Sequence, residues 1–311
     1  MTEKDKCFSG PKSAFIAIVG RPNVGKSSLL NCMLGQKVAI VSSKPQTTRT
    51  RIMGIWTQDE VQLVFIDTPG LHKPHNKLGN YMVRSVNESV AGVDACLLVA
   101  EGGKEIAPAE RELMQKFQAM GLPAVLALNK IDLLADKQAL MGQIAAFTAE
   151  FDFAAVVPVS AVEKDGVDDL LEELTRLAQP GDHFFDEDEL TDQPERVLAS
   201  EMIREKLLRL LDKEVPHGVA VAVERMRERE DQSGITDIDA TIYCERDSHK
   251  GIIIGKGGAM LKKVGQYARE DMERFFDCKI NLKLWVKVKE DWRNREGLLK
   301  NFGFDSSDFD G

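Results

Sequence analysis

Missing from this sequence is any close pair of cysteines. The five present, Cys7, Cys32, Cys96, Cys244 and Cys278, are odd in number and far apart, with no C-x-x-C to hold zinc or exchange disulfides. They read as reduced thiols of a cytosolic chain. Long apolar runs are missing too: the longest, near 95–100 and 123–128, are far too short to span a bilayer. The opening MTEKDKCFSGPKS lacks the apolar stretch of a signal peptide. Membrane contact is thereby limited to peripheral association. Nor is there an excess of positive charge, since the net charge is -9, which argues against a protein that coats nucleic acid indiscriminately. No internal repeat is visible.

What is present is a chain of 311 residues, 43% hydrophobic and 29% charged, long enough for two domains of ordinary size. Between 14 and 178, short apolar runs alternate with amphipathic stretches, the pattern of βα units in a mostly parallel, doubly wound sheet. Strands are expected at 14–19, 61–66, 95–100, 123–128 and 154–159, with an edge strand at 51–57. Helices are expected at 26–34, 78–90, 108–120, 137–150 and 167–177. Residues 179–194, rich in Asp, Glu, Gly and Pro, read as an exposed linker. Beyond it the order is α-β-β-α-α-β, a small α+β domain, then a tail with one more short helix and a frayed acidic end. The expected boundaries are 12–180, a linker at 181–194, 195–290, and a tail at 291–311.

Gly20-Arg21-Pro22-Asn23-Val24-Gly25-Lys26-Ser27 matches G-x-x-x-x-G-K-S between a strand and a helix. Its backbone N–H groups can turn around phosphate oxygens, Lys26 can meet the outer phosphates, and the Ser27 hydroxyl can bind Mg²⁺. Asp67-Thr68-Pro69-Gly70 closes the strand at 61–66, where a carboxylate can hold Mg²⁺ through water and a glycine N–H can sense a γ-phosphate. Asn129-Lys130-Ile131-Asp132 follows the next-but-one strand. The Asp132 carboxylate can accept both N1 and N2 protons of guanine, whereas adenine presents no matching pair. Ser160-Ala161 can supply a backbone N–H to guanine O6. Four elements in this order on strand ends point to a GTP/GDP site with Mg²⁺. Lys26, Thr48, Gly70 and Asn23 are the candidate catalytic residues.

Thr47 and Thr48, in Pro45-Gln46-Thr47-Thr48-Arg49, lie where a first switch segment would bind Mg²⁺ only with the γ-phosphate present. Thr48 is favoured and Thr47 is the alternative. Leu71 stands where Ras-like proteins keep a water-orienting glutamine, so slow intrinsic hydrolysis is expected. His72 and His75 lack a third ligand nearby and are not read as a metal pair.

From Lys250 to Lys289, ten Lys or Arg face four Asp or Glu, which places any nucleic-acid contact near the C-terminus. There Gly255-Lys256-Gly257-Gly258 forms a G-x-x-G loop before an amphipathic helix. A KH fold uses such a loop because residues without Cβ let the backbone of single-stranded RNA approach closely. Ile252, Ile253 and Ile254 would form the apolar face for bases, and Lys256, Lys262 and Lys263 would meet phosphates. Trp285, in an alternating strand, is expected in the core rather than as a stacking platform.

These residues together resemble the bacterial Era GTPases over almost the whole chain: the Gly20 to Ser27 loop, Gln46 to Arg49, Asp67 to Gly70, Asn129 to Asp132, the glycine loop and Trp285-Val-Lys-Val-Lys289. That family more often carries one glycine at the end of its G-x-x-G loop, where this chain has Gly257-Gly258. The resemblance implies a P-loop GTPase domain followed by a type II KH domain, binding to the 3′ end of 16S ribosomal RNA, a role in 30S subunit assembly, and peripheral association with the inner membrane. A monomer is expected. In related GTPases with Gly-x-Pro-Asn, the asparagine helps hold potassium, which makes Asn23 the candidate for K⁺. The competing readings are a KH RNA chaperone whose GTP site is structural, and a GTPase of RNA modification, for which no reactive Cys or His constellation is present.

Overall fold

The computed structural model describes residues 10–44, 46–70, 76–136, 138–212, 215–231 and 234–304. The chain divides into two compact units: Met1–Val38, Thr50–His72 and Ser85–Asp192 make the first, and Ala39–Arg49, Lys73–Arg84 and Gln193–Gly311 the second.

The first unit contains β1 (Lys12–Val19), α1 (Lys26–Leu34), β2 (Ile52–Gln58), β3 (Val61–Asp67), the end of α2 (Lys77–Val90), β4 (Ala95–Glu101), α3 (Pro108–Met120), β5 (Ala124–Asn129), α4 (Gln138–Glu150), β6 (Ala155–Pro158), α5 (Val167–Thr175) and the short β7 (Gln179–Pro180). The sheet order is β2-β3-β1-β4-β5-β6, with β7 beside β1. β2 runs antiparallel to β3, and the β1–β3, β1–β4, β4–β5 and β5–β6 pairs are parallel. β4 and β5 are buried almost throughout, which is why they read as unbroken apolar runs rather than as alternation. From β1 the chain moves to β3 on one side and later to β4 on the other, so the carboxyl end of β1 lies at a switch point where such sheets place ligands.

Residues 179–192 are not the free linker that their composition suggests. Gln179 and Pro180 pair with Ser13 and Lys12 of β1. The fully buried Gln62 accepts from the N–H groups of Phe184 and Phe185 at 2.8 and 3.1 Å. The Ile55 N–H on edge strand β2 donates to the Leu190 carbonyl at 2.9 Å, and the Thr191 hydroxyl donates to Met53 O at 2.6 Å. The segment satisfies backbone groups of a strand edge that would otherwise stay open.

The second unit contains α6 (Glu195–Leu210), β8 (Ala220–Glu228), β9 (Ile235–Cys244), α7 (Asp247–Ile254), α8 (Ala259–Phe276), β10 (Lys279–Val288) and α9 (Glu296–Asn301). This is the expected α-β-β-α-α-β order followed by a short tail helix. β10 is parallel and β8 antiparallel to the central β9. One face of the sheet packs with the helices through Ile203, Leu207, Ile238, Ile242, Val264 and Met272. A second cluster gathers the tail residues Trp292, Leu299 and Phe304 with Leu78, Met82 and Ala220.

Ala39–Arg49 also belongs to this unit. Glu205 accepts from Val41 N at 2.9 Å, Arg209 donates to Val41 O at 3.0 Å, and Arg204 donates to Thr47 O. The buried Arg49 guanidinium donates to Val219 O at 2.6 Å and His217 O at 2.9 Å.

Candidate nucleotide site and RNA groove

In the first unit, the four sequence motifs come together at the carboxyl ends of β1, β3 and β5 and just after β6. The phosphate loop needs its glycines for two separate reasons. Gly20 and Gly25 have φ of +150° and +100°, and a Cβ there would lie 2.3 Å from Val99 O and 2.2 Å from Asn129 Nδ2. Asn23 is also left-handed, at φ 64°, a conformation that asparagine tolerates better than most residues. Lys26 is almost wholly buried, and its ammonium donates to Gly20 O at 3.1 Å and Arg21 O at 3.0 Å. Burial pulls its pKa down to about 8, with the Asp67 carboxylate pulling the other way. Arg21 is held by Glu110, Nε to Oε1 at 2.8 Å, and Val24 is buried beneath the turn.

The Ser27 hydroxyl donates to Asp67 Oδ2 at 2.6 Å. A hydroxyl and a carboxylate side by side at the head of a phosphate loop are the hard oxygen donors that Mg²⁺ takes alongside substrate phosphates, so the residues fit that ion. Thr68, fully buried, donates to Ile18 O at 2.8 Å and fixes the turn after β3. Pro69 is buried, and a Cβ on Gly70 would lie 2.8 Å from Pro22 Cα, so this turn packs directly on the phosphate loop.

On the base side, Asn129 Nδ2 donates to Val24 O at 2.8 Å while Ala161 N donates to Asn129 Oδ1 at 3.1 Å. The Ser160 hydroxyl donates to Asp132 Oδ1 at 2.6 Å, which orients the carboxylate. Ile131 is buried, and Lys130, left-handed at φ 68°, pairs with Glu101 at 2.8 Å. Glu110 and Glu101 are not legible as site residues in the sequence, because their partners are distant along the chain. Leu71, His72 and His75 lie outside the described residues, as does Pro45. Thr47 and Thr48 fall in the second unit. The Thr47 hydroxyl donates to Lys44 O at 2.6 Å, and Thr48 is buried.

In the second unit, Gly255 adopts φ 72°, ψ 173° and would drive a Cβ to 2.7 Å from Met260 Cβ, so its glycine is required by the turn itself. Gly257 and Gly258 are left-handed with open space where a Cβ would go. They keep the loop surface low. Beside the loop a groove of about 560 Å³ runs between α8 and β10. Its apolar floor comes from Leu261, Gly265, Leu282 and Leu284, and Lys262, Gln266, Arg269 and Asn281 supply the polar groups.

Two expectations are corrected here. Ile253 is fully buried in the core and is no base-contacting surface; Ile254 is partly buried against the same core, and only Ile252 is largely exposed. Trp285 is 44% exposed, not in the core. Lys256 is exposed on the loop, Lys262 lines the groove, and Lys263 lies 5.7 Å from the Tyr267 ring centre. The groove residues of α8 and its N-cap carry a signal in the sequence: positions 258, 261, 262, 265, 266 and 269 repeat at helical spacing.

The family model described as a 50S ribosome-binding GTPase matches residues 15–130, and the KH domain model matches 214–293. GTPase Era of Ruminiclostridium cellulolyticum is 52% identical over 293 residues, covering 94% of this chain and 97% of the relative. GTPase Era of Clostridioides difficile is 48% identical, covering 94% and 98%. Among solved structures, a single-residue variant of Aquifex aeolicus Era bound to GDP and AlF4⁻ matches with a TM-score of 0.90 at 35% identity, covering 94% of this chain and 99% of that one. Era in complex with MgGDPNP and nucleotides 1506–1542 of 16S ribosomal RNA matches with a TM-score of 0.89, also at 35% identity and covering 94% and 99%. With a P-loop GTPase domain followed by a KH domain, this chain belongs to the GTPase Era family and is a GTPase.

Proposed function

We propose that the chain is a GTP-dependent switch that binds 16S ribosomal RNA near its 3′ end and acts in maturation of the 30S subunit. The observation that carries the RNA reading is the groove between α8 and β10, apolar along its floor, basic along α8, and bordered by two glycines with open space above them. A single strand can lay its backbone on Gly257 and Gly258 while bases rest on Leu261, Leu282 and Leu284. The solved relative bound to MgGDPNP and a 16S fragment supports the same pairing of ligands.

At the nucleotide, Gly20 to Ser27 would cradle the phosphates, with Lys26 compensating charge on the outer ones. Ser27 and Asp67 would hold Mg²⁺, joined in the GTP state by Thr48 or Thr47. That ion supplies positive charge for the charge developing in phosphoryl transfer. The Gly70 N–H would report on the γ-phosphate, and Asp132 would read guanine, with the Ala161 N–H shared between Asn129 Oδ1 and the base O6. Leu71 has no group with which to orient water, and the charge that an arginine supplies elsewhere is assigned to K⁺ held with the help of Asn23. The chain acts as a monomer. The resemblance to Era implies a cytoplasmic protein meeting the inner membrane peripherally, and among the described residues no helix is long and apolar enough to cross a membrane.

The test is Gly257→Asp. Nothing lies within 4 Å of the added Cβ, and at φ 59° aspartate tolerates the left-handed turn at a cost of about 1 kcal/mol, so the fold should survive while a side chain and a negative charge meet phosphate. RNA ending in the 16S 3′ sequence should no longer bind, with GTP binding and the basal GTPase rate retained. Full RNA binding by this variant would refute the groove reading. If the GTP site were only structural, RNA affinity would be the same with GTP analogue and with GDP; the switch reading expects it to differ.

A further inference from the structure

The exposed Trp285 is the feature that the nucleotide site and the groove leave unexplained. β10 is an edge strand of the three-stranded sheet, and its side chains part to two sides. Leu282 and Leu284 line the groove and pack against the core. Lys283, Trp285 and Lys287 alternate with them and are exposed, on the sheet face opposite the helices. Trp285 lies in register with Thr241 of β9, which is fully buried and bonded to Glu224 at 2.8 Å. The indole therefore stands beside a fixed polar group while 44% of the residue remains open.

One end of this face is already covered, where Phe302 of the tail lies 4.8 Å from the Tyr243 ring. Among the described residues, the tail cluster does not include Trp285. Lys283 and Lys287 flank it at two residues on each side, about 7 Å along the strand, and Lys279 continues the column. The carboxylates of this face are Glu224, 3.7 Å from Lys287, Asp237, held by Arg229 at 2.8 Å, and Asp239, in register with both Lys283 and Arg225. Each has a cation bonded to it or paired with it in register, and Lys279 adds to the positive side. An open aromatic ring between two lysines is the combination that takes a stacked base with a phosphate on either side.

We infer that the β10 face bearing Lys283, Trp285 and Lys287 is a second contact for single-stranded RNA, reached when the strand held in the groove continues over the β10 edge. The inference rests on the groove reading above. It is carried by continuity, because one edge strand lines the groove with Leu282 and Leu284 and turns the very next residues, Lys283 and Trp285, to the outer face, and by the charge beside the ring. A protein partner on the same face is the competing occupant.

The experiment compares two lengths of one RNA on the full chain: a piece of about four nucleotides, the span a KH loop clamps, and a piece of about twelve nucleotides that extends past it. Trp285→Ala should leave the short piece's affinity unchanged and weaken the long piece about ten-fold or more. Trp285→Phe should restore most of that loss, and Lys283→Ala with Lys287→Ala should flatten the salt dependence for the long piece only. Long RNA should also quench indole fluorescence in the unaltered chain but not in Trp285→Phe. Unchanged affinity for the long piece in Trp285→Ala, the result a protein-binding face would give, overturns the inference, and so does an equal loss at both lengths. Failure of the groove reading looks different: the short piece would bind Gly257→Asp as well as it binds the unaltered chain.

Discussion

The Asn129 side-chain amide donates to the Val24 carbonyl at 2.8 Å, binding the Asn129 to Asp132 turn to the phosphate loop. The same amide group accepts from Ala161 N at 3.1 Å. One buried side chain therefore sets the spacing between three motifs that are far apart in sequence. Its removal would leave a donor and an acceptor without partners in a site that water reaches poorly. Asn129→Ala is expected to lose about 2 to 4 kcal/mol of GTP binding and to lower the unfolding temperature of the nucleotide-free protein, measured by calorimetric titration and thermal melting. Retention of both would show that the loops are held by other contacts.

Asp132 gives a cleaner test of the base. Its carboxylate is oriented by Ser160 at 2.6 Å. Asp132→Asn should weaken GTP binding by about 2 to 4 kcal/mol and improve binding of xanthosine triphosphate, which carries a carbonyl in place of the guanine amino group. Competition between the two nucleotides reads the switch directly, and undiminished GTP affinity would remove the guanine assignment.

Lys26 predicts a pH dependence whose sign follows from its burial. Its folded-state pKa is about 8 against an ordinary 10.5, so the folded nucleotide-free protein binds this proton less tightly than the unfolded chain does. The penalty for burying the ammonium is present in full below about pH 8 and fades as pH rises toward 10.5. Lys26→Met should therefore raise stability near neutral pH, by about 2 to 3 kcal/mol at most, and remove this rise in stability at alkaline pH. The same variant should fail to bind GTP, since no charge then meets the phosphates. Chemical denaturation at several pH values checks the first part. A variant less stable than the parent at neutral pH would contradict it.

The potassium proposal has its own signature. Hydrolysis should run faster in potassium than in sodium at matched ionic strength, and Asn23→Ala should abolish the difference. Because Asn23 is left-handed at φ 64°, alanine also strains the turn, by about 1 kcal/mol. GTP affinity must therefore be measured beside the rate. Equal rates of the unaltered chain in the two salts would assign Asn23 to loop shape alone.

Much of this was legible in the sequence because the determinants are local. The phosphate loop, the turn after β3 and the Asn129 to Asp132 turn are each marked by a few contiguous residue types, and apolar runs placed them on strand ends. The α-β-β-α-α-β order followed from periodicity in the same way.

What only the tertiary structure decided is which face of each element is covered. Trp285 and Trp292 both stand among basic residues in the sequence. The first is left open on β10, whereas the second is fully buried, its indole N–H donating to Gly218 O at 3.0 Å under Phe302 and Phe304. Ile252, Ile253 and Ile254 are chemically alike, and the rotation of α7 against the core selects Ile253 for burial. Residues 179–192 have the composition of a free linker, yet they are laid along the first unit's sheet because an open strand edge and the Gln62 amide offer them hydrogen bonds. Composition and period specify an element and its apolar content. The partner that claims a face comes from elsewhere in the chain, and packing selects it.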